Sequence, residues 1–363
     1  MSQKLILIGG GHSHAIALKS LAFPPLSNVD ITLISETSHT PYSGMLPGHI
    51  AGYYTYDQTH INLPKLTEFA QVQLLIDKVI NLDLLNHQVI CQNSPPISFD
   101  LLSINIGSTP NINSILNAEK YSIPVKPVYK FLKSWQEILT SNQNQIKIGI
   151  IGGGAGGVEL ALSMKKALEE KIQINLVHQG QELLPNHNQW VRNSLHKRLI
   201  YTGINLYLGE KVIEIEPNII KCESGLKLES DYIFMVTKAS APTWIKTSGL
   251  TTDENGFILV TNTLQSCSHS HIFAAGDIAT IRNYPRPKSG VFAVKQGQPL
   301  YDNLRAYLLG EKLTNYLPQN RFLNLISMGE KRAIASWGEW GWEGELLWYI
   351  KDYIDRQFMA QFP

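Results

Sequence analysis

Cysteine is scarce in this chain of 363 residues: Cys91, Cys222 and Cys267 are the only three, and they lie far apart. An odd, widely spaced set excludes a disulfide framework and a zinc knuckle, and it suits a reducing compartment. Charge of one sign is also lacking. The formal net charge is +1 and no run of like charges stands out, so nothing electrostatic points to nucleic acid or to an anionic surface. No apolar run approaches the ~20 residues that a membrane-spanning helix needs. The N-terminal "MSQKLILIGGGHS" has its short apolar stretch broken by glycines, which excludes a signal-like segment. These absences imply a cytoplasmic globular protein. A hydrophobic content of 44% with 17% charged residues supplies an ordinary core, and the length allows two domains with a smaller third region.

What the chain does have is glycine in two particular places. "KLILIGGGHSHAIALKSL" sets an apolar run before Gly9, Gly10 and Gly11 and an amphipathic helical pattern after them. Strand, tight turn and helix bring backbone N–H groups and a positive helix end to a pyrophosphate. The G-x-G-x-x-G spacing is incomplete, because His14 stands where the third glycine belongs; a looser or differently packed helix–strand crossing is expected there. "QIKIGIIGGGAGGVELALSMKKAL" carries the full spacing, with Gly152, Gly154 and Gly157 followed by Val158, Leu160, Ala161 and Met164 at helical intervals. Two such loops, well separated, imply two βαβ units.

In each unit the next strand should end near an acid that holds ribose hydroxyls. "VDITLISETS" offers Glu36. "IQINLVHQGQELLP" offers His178 and Gln179, with neither an acid nor an arginine, and so does not choose between NADH and NADPH. His12 and His14 form an H-x-H inside the first loop with no third ligand in view, and no metal site is expected.

A third signature follows both loops: "HSHIFAAGDIAT", a short apolar strand ending in Gly276-Asp277. In that order the three motifs resemble the two-dinucleotide-binding flavoproteins, the pyridine nucleotide-disulfide oxidoreductase superfamily. "FDLLSINIGSTPN" and "SDYIFMVTKASAP" look like the superfamily's two strand-to-loop crossings. The resemblance implies an α/β fold of two Rossmann-like domains. The FAD-binding domain would be discontinuous (residues 1–111 and 264–317), the NAD(P)-binding domain would span 112–263, and a helical appendage would occupy 318–363. It implies FAD as cofactor, with Gly9, Gly11, His12, Glu36 and Gly107 around it and Asp277 on its ribityl chain. NAD(P)H would be the substrate at Gly152, Gly154 and Gly157, with Glu159 on the nicotinamide side.

The disulfide reductases of this superfamily keep a Cys-x-x-x-x-Cys pair against the flavin after the second strand. This chain has "TPYSGMLPGHIAG" there (residues 40–52) and no cysteine before Cys91; nor do its cysteines match the sulfide:quinone oxidoreductase pattern. The stretch resembles the turn that lies against the flavin in type II NADH dehydrogenases, which implies Ser43, Gly44, Met45 and Leu46 as a flavin wall. "RPKSGVFAVKQGQPLYDNL" is expected to begin a helix near Ser289, with Gly290 and Val291 at the pyrimidine edge of the ring. Type II dehydrogenases carry an Ala-Gln-x-x-x-Gln quinone motif about here, and this chain departs from it.

A closer resemblance is to the FAD-dependent module found fused ahead of selenide, water dikinase in some proteins and free-standing in others. It rests on "GGGHSHA", "YSGMLPGHIAGYY", "GVFAVKQGQPLYDNLRAYL" and "KDYIDRQFM".

Together the resemblances imply an FAD-dependent NAD(P)H oxidoreductase without a redox disulfide, passing electrons to an unidentified small-molecule acceptor. Two alternatives stay open: a peripheral-membrane NADH:quinone oxidoreductase, and an FAD-binding sensor or partner module for selenide, water dikinase. The last helical pattern puts Leu347, Ile350, Ile354 and Phe358 on one face. Its acidic balance favours packing on the protein's own body or in a homodimer over a membrane-surface helix.

Overall fold

The structure is a computed structural model and describes residues 2–112 and 114–363. Two five-stranded parallel sheets organise it. The first runs in the order Ile272–Ala274, Leu101–Ile104, Gln3–Ile8, Val29–Ser35, Gln73–Ile76. The second runs Ile123–Pro124, Tyr232–Met235, Ile146–Ile151, Ile172–His178, Asn205–Leu208. Parallel strands covered on both faces read as continuous apolar runs rather than alternating ones. Leu5 to Ile8 in the central strand of the first sheet are accordingly all buried, as are Ile148, Ile150 and Ile151 in the second.

The two units repeat one plan. In the first, the antiparallel strands Val79–Asp83, Gln88–Cys91 and Ile97–Ser98 precede the return strand Leu101–Ile104. In the second, Val212–Glu216, Ile219–Cys222 and Lys227–Glu229 precede Tyr232–Met235. The correspondence extends to register. Val79 lies opposite Cys91 and Val212 opposite Cys222, each followed by the same irregularity one residue on. Two of the three cysteines thus occupy equivalent places in the two units.

Strand Ile272–Ala274 belongs to the first sheet although it follows the whole second one, pairing Ile272 with Leu102 and Ala274 with Ile104. The chain crosses into the second unit and returns. That return sets Gly276 and Asp277 at the carboxyl end of the first sheet, where open α/β sheets bind ligands.

The C-terminal segment carries the expected helix and adds a small sheet to it. A three-stranded antiparallel sheet, Asn324–Ser327, Ala333–Trp337 and Trp340–Gly344, comes before the helix Glu345–Met359. The two-residue turn Gly338-Glu339, with Gly338 at φ +55°, closes its second hairpin. Among the described residues no helix is long and apolar enough to cross a membrane.

The two glycine loops solve helix–strand contact differently. In the second, Gly152 takes φ +127°, and a Cβ on Gly157 would stand 1.9 Å from the Gly152 carbonyl oxygen. In the first, His14 occupies the equivalent place with a fully buried imidazole. Its Nδ1 lies 2.6 Å from the Gly9 carbonyl oxygen and its Nε2 2.8 Å from Ser103 Oγ. A carbonyl only accepts, so Nδ1 carries the proton and Nε2 accepts from the Ser103 hydroxyl. The ring is neutral, and burial pushes its pKa down to about 4 against the opposing pull of the Gly9 carbonyl. The crossing expected to be loose is instead tied by two hydrogen bonds.

Gly157→Val is expected to destabilise the chain by about 3 kcal/mol through overpacking against backbone, read from the midpoint of denaturant unfolding. His14 has a pH signature. The unfolded ring takes up a proton below its ordinary 6.5, whereas the folded ring stays neutral down to about 4. Its contribution is therefore complete above the first value and is lost as pH falls toward the second, about 3 kcal/mol in all. Unfolding followed across that window should show a slope that His14→Gln flattens.

Candidate functional site

A cavity of ≈ 1490 Å³ opens at the carboxyl end of the first sheet, larger than the roughly 300–1,000 Å³ of a site for a drug-sized ligand. Gly9, Gly11, Glu36, Ser43, Asp277 and Gly290 are among the residues that line it. Asn105, just past the strand Leu101–Ile104, holds its floor together. The Asn105 carbonyl accepts from Gly11 N–H at 3.2 Å, and its side-chain oxygen accepts from His14 N–H at 3.2 Å. Its amide donates to the Ala275 carbonyl at 2.6 Å. No motif points to Asn105; the one sequence clue is a polar residue inside the otherwise apolar "LLSINIGS". A Cβ on Gly9 or Gly11 would stand 2.6 Å from its backbone oxygen, which is why those positions are bare.

Asp277 is almost wholly buried at the cavity wall. Lys126 donates to its carboxylate at 2.7 Å and Ser108 Oγ at 3.1 Å. Burial alone would raise its pKa; the Lys126 ammonium, its hydrogen bond, the Ser108 hydroxyl and the charge of Lys288 outweigh that and hold the carboxyl below its usual range. The acid is an anion aimed at the cavity. Lys126, also on the wall, was not foreseen from sequence, since "IPVKPVY" carries no signature.

Glu36 follows the strand Val29–Ser35, exposed at the cavity rim, with the Tyr129 hydroxyl 3.5 Å from its carboxylate. Gly107 lines the wall at φ +74°. His12 lines it too; its Nε2 is 3.3 Å from the Pro41 carbonyl oxygen, and burial lowers its pKa despite that carbonyl. Ser289 caps the helix Gly290–Leu308, whose first turn reaches the cavity through Gly290 and Ala293, whereas Val291 is not among the lining residues.

The wall stretch divides. Ser43 faces the cavity. Gly44 lies against Asp355 and the Tyr42 ring, and Met45 is buried with Tyr54, Ala333 and Trp348. Leu46 and Ile50, on the short helix Leu46–Ile50, pack into the core of the second unit. Of the four residues expected along this wall, only Ser43 turns its side of the chain to the cavity.

At the second loop, Gly154 caps the helix Ala155–Leu168 with open space where a Cβ would point. Gly152 and Gly157 serve close backbone approach. His178, standing where an acid was sought, accepts from Gly153 N–H through Nδ1 at 3.2 Å and so folds back on the loop. Glu159, one turn into the helix, accepts from Ser327 N–H at 2.8 Å. Burial pushes its carboxyl up to about 7, and the Asp355 charge adds to this, while Lys351 and the Ser327 N–H pull the other way.

Cys91 and Cys222 are buried in their antiparallel sheets and their thiols are pushed up to about 11 by that burial. Neither lines the cavity.

Fold and site define a class of dinucleotide-dependent oxidoreductase, and comparison with known proteins gives the family. Residues 3–297 match the pyridine nucleotide-disulphide oxidoreductase family, and the chain belongs to it. This is a family of FAD-dependent NAD(P)H oxidoreductases, and the chain is one in fold and loop chemistry. The chain is similar to the NADH dehydrogenase-like protein YutJ of Bacillus subtilis, 22% identical over 339 residues that cover 92% of each. It is 29% identical over 153 residues to a type II NADH:quinone oxidoreductase of Haemophilus influenzae, 39% of this chain and 34% of that one. A solved structure of NDH2 from Plasmodium falciparum in complex with NADH superposes with a TM-score of 0.81 at 16% identity, covering 100% of this chain and 98% of that one.

Proposed function

We propose that the chain holds FAD in the large cavity, takes hydride from NAD(P)H held at the second glycine loop, and passes the electrons to a small-molecule acceptor. The observation that carries this reading is the Asp277 carboxylate, kept ionised by Lys126 and Ser108 and set on the same wall as Gly9 and Gly11. In this reading residues 1–111 and 264–317 form the FAD domain, 112–263 the NAD(P) domain, and 318–363 a cover over the junction.

FAD, when bound, supplies the two-electron acceptor for hydride; the protein supplies binding, orientation and electrostatics. The N–H groups at Gly9 to Gly11 and the start of the helix His12–Leu21 offer a positive surface to a pyrophosphate. Asp277 would hold FAD by accepting hydrogen bonds from ribityl hydroxyls, and Glu36 by accepting from ribose hydroxyls. The N–H groups at the start of the helix Gly290–Leu308 would favour negative charge on a flavin held in the cavity. Gly154 leaves the second pyrophosphate free approach. Glu159 titrates close to neutral pH and can hold or release a proton on the nicotinamide side. None of Cys91, Cys222 and Cys267 lines the cavity, so no thiolate relay takes part there.

The acceptor has a second reading, favoured by one surface. The outward face of the helix Glu345–Met359 exposes Leu346 (72%) and Tyr353 (65%) together with Tyr349, Ile350 and Ile354. The hairpin before it exposes Trp337, Trp340 and Trp342. Such a face suits the headgroup boundary of a membrane, and with it a quinone as acceptor. Sedimentation with phosphatidylcholine vesicles tests it: co-sedimentation lost on Leu346→Asp with Tyr353→Asp supports the membrane. Mass that rises with protein concentration in the absence of vesicles assigns the face to a second copy of the chain. Purified selenide, water dikinase is the partner to try in the same assay.

Asp277→Ala is expected to abolish FAD retention, read as loss of the yellow visible band after gel filtration. Gly154→Val is expected to keep the band and slow flavin reduction by NAD(P)H at least 100-fold in stopped flow, about 3 kcal/mol of lost transition-state stabilisation. Reduction as fast as in the parent chain would remove the second loop from the reaction.

A further inference from the structure

The helix Glu345–Met359 buries an ion pair beside Trp348 and Phe358 and turns several of its apolar residues outward. The sequence periodicity set Leu347, Ile350, Ile354 and Phe358 on one face, yet Ile350 and Ile354 are exposed while Asp355 is buried. Lys351 Nζ and Asp355 Oδ2 are 2.6 Å apart, with side chains 12% and 6% exposed. Local energetics do not account for this pair. A cation one turn before its carboxylate is the less favourable order on a helix, an acid near a helix C-terminus opposes the dipole, and burial charges both groups a desolvation cost.

What the pair touches explains it. Lys351 Nζ donates to the Gly44 carbonyl, and the Tyr42 ring and the Asp355 carboxylate both pack against Gly44, where burial first and then the Asp355 charge raise the Tyr42 pKa. The Tyr42 carbonyl accepts from Met45 N–H at 3.0 Å, which closes the turn that carries Ser43 into the cavity. The Tyr42 ring stacks on Phe358 at 4.4 Å between centroids. A Cβ on Gly44 would stand 2.9 Å from Asp355 Oδ1, so the helix and the turn meet without clearance. The last helix grips the wall at both ends of the turn, and each grip passes through one member of the ion pair.

We propose that Asp355 is a positioning residue: with the Tyr42 hydroxyl it holds the Lys351 ammonium on the Gly44 carbonyl, fixing a positive charge behind the flavin wall and within the field of Glu159. This rests on the reading that Ser43 faces FAD and Glu159 the nicotinamide. The fixed cation favours negative charge on the reduced ring and opposes protonation of Glu159. The ionisable groups that face Asp355 are Lys351 on its own helix, Tyr42 on the wall, Tyr54 beyond it and Glu159 on the second loop's helix.

Two roles for Asp355 give opposite signs. As a bare negative charge it raises the pKa of Glu159, and Asp355→Asn would lower it. As the holder of Lys351 it keeps a lowering charge in place, and Asp355→Asn frees the ammonium so that the pKa of Glu159 rises. The readout is the side-chain carboxyl carbon of Glu159 in the full-length, FAD-loaded protein labelled with carbon-13 glutamate, assigned by Glu159→Gln and titrated by NMR. Asp355→Asn is expected to raise the midpoint by about one pH unit. Lys351→Met, which leaves the Asp355 charge in place, should raise it further, the double variant should match Asp355→Asn, and Tyr42→Phe should move it the same way by less. A midpoint that falls or stays in Asp355→Asn overturns the proposal; should that variant not fold, Tyr42→Phe decides by the same sign. A chain that retains no FAD would instead sink the flavin reading, and the Glu159 titration would still be read on the protein without it.

Discussion

Three segments far apart in the sequence have to meet at the end of one sheet before any dinucleotide can be held, and Asn105 is the residue through which they meet. Its backbone oxygen receives the first glycine loop, its side-chain oxygen receives the first turn of the following helix, and its amide receives the strand that brings in Asp277. Each bond is buried, so each group left unpaired would cost about 1–3 kcal/mol. The discontinuity of the first unit is thereby turned to use. A chain that leaves to build a second unit and comes back can place an ionised acid in the cavity that its own N-terminal loop lines.

The second constraint is the turn at residues 42–45. It carries Ser43 into the cavity, while Leu46 and Ile50 behind it pack into the second unit and Met45 packs under the C-terminal segment. One short charge-free stretch therefore touches all three parts of the molecule. Here its position between the units makes it a joint, and the last helix fixes the joint through Lys351 and Asp355.

Much of this was legible in the sequence, and the reasons are local. Gly152 and Gly157 could be read because each does a backbone task that only glycine performs, a positive φ and close packing, and Gly154 completes their spacing with open space before it. Asp277 could be read because a short apolar strand ending in Gly-Asp follows two such loops. His14 misled in degree: a missing glycine predicts a gap, but an imidazole bonded at both nitrogens fills it. Asn105, Lys126 and Asp355 were illegible because their roles lie in contacts across 91 to 313 positions of chain, which no spacing rule reaches. The last helix was read by apolar period alone and came out turned, because its inward face is set by partners in the residue 42–45 turn. The hairpin that turns at Gly338 lies before that helical pattern and was not read at all.

The central claim is that a flavin in the large cavity is reduced by a nucleotide at the second glycine loop. The direct measurement is an anaerobic titration of the purified protein with NADH, and separately with NADPH, following the visible flavin band. The account predicts bleaching that is complete at one equivalent of one of the two nucleotides. A protein that holds FAD yet stays oxidised with both would contradict it, and would leave the second loop as a site that does not deliver hydride.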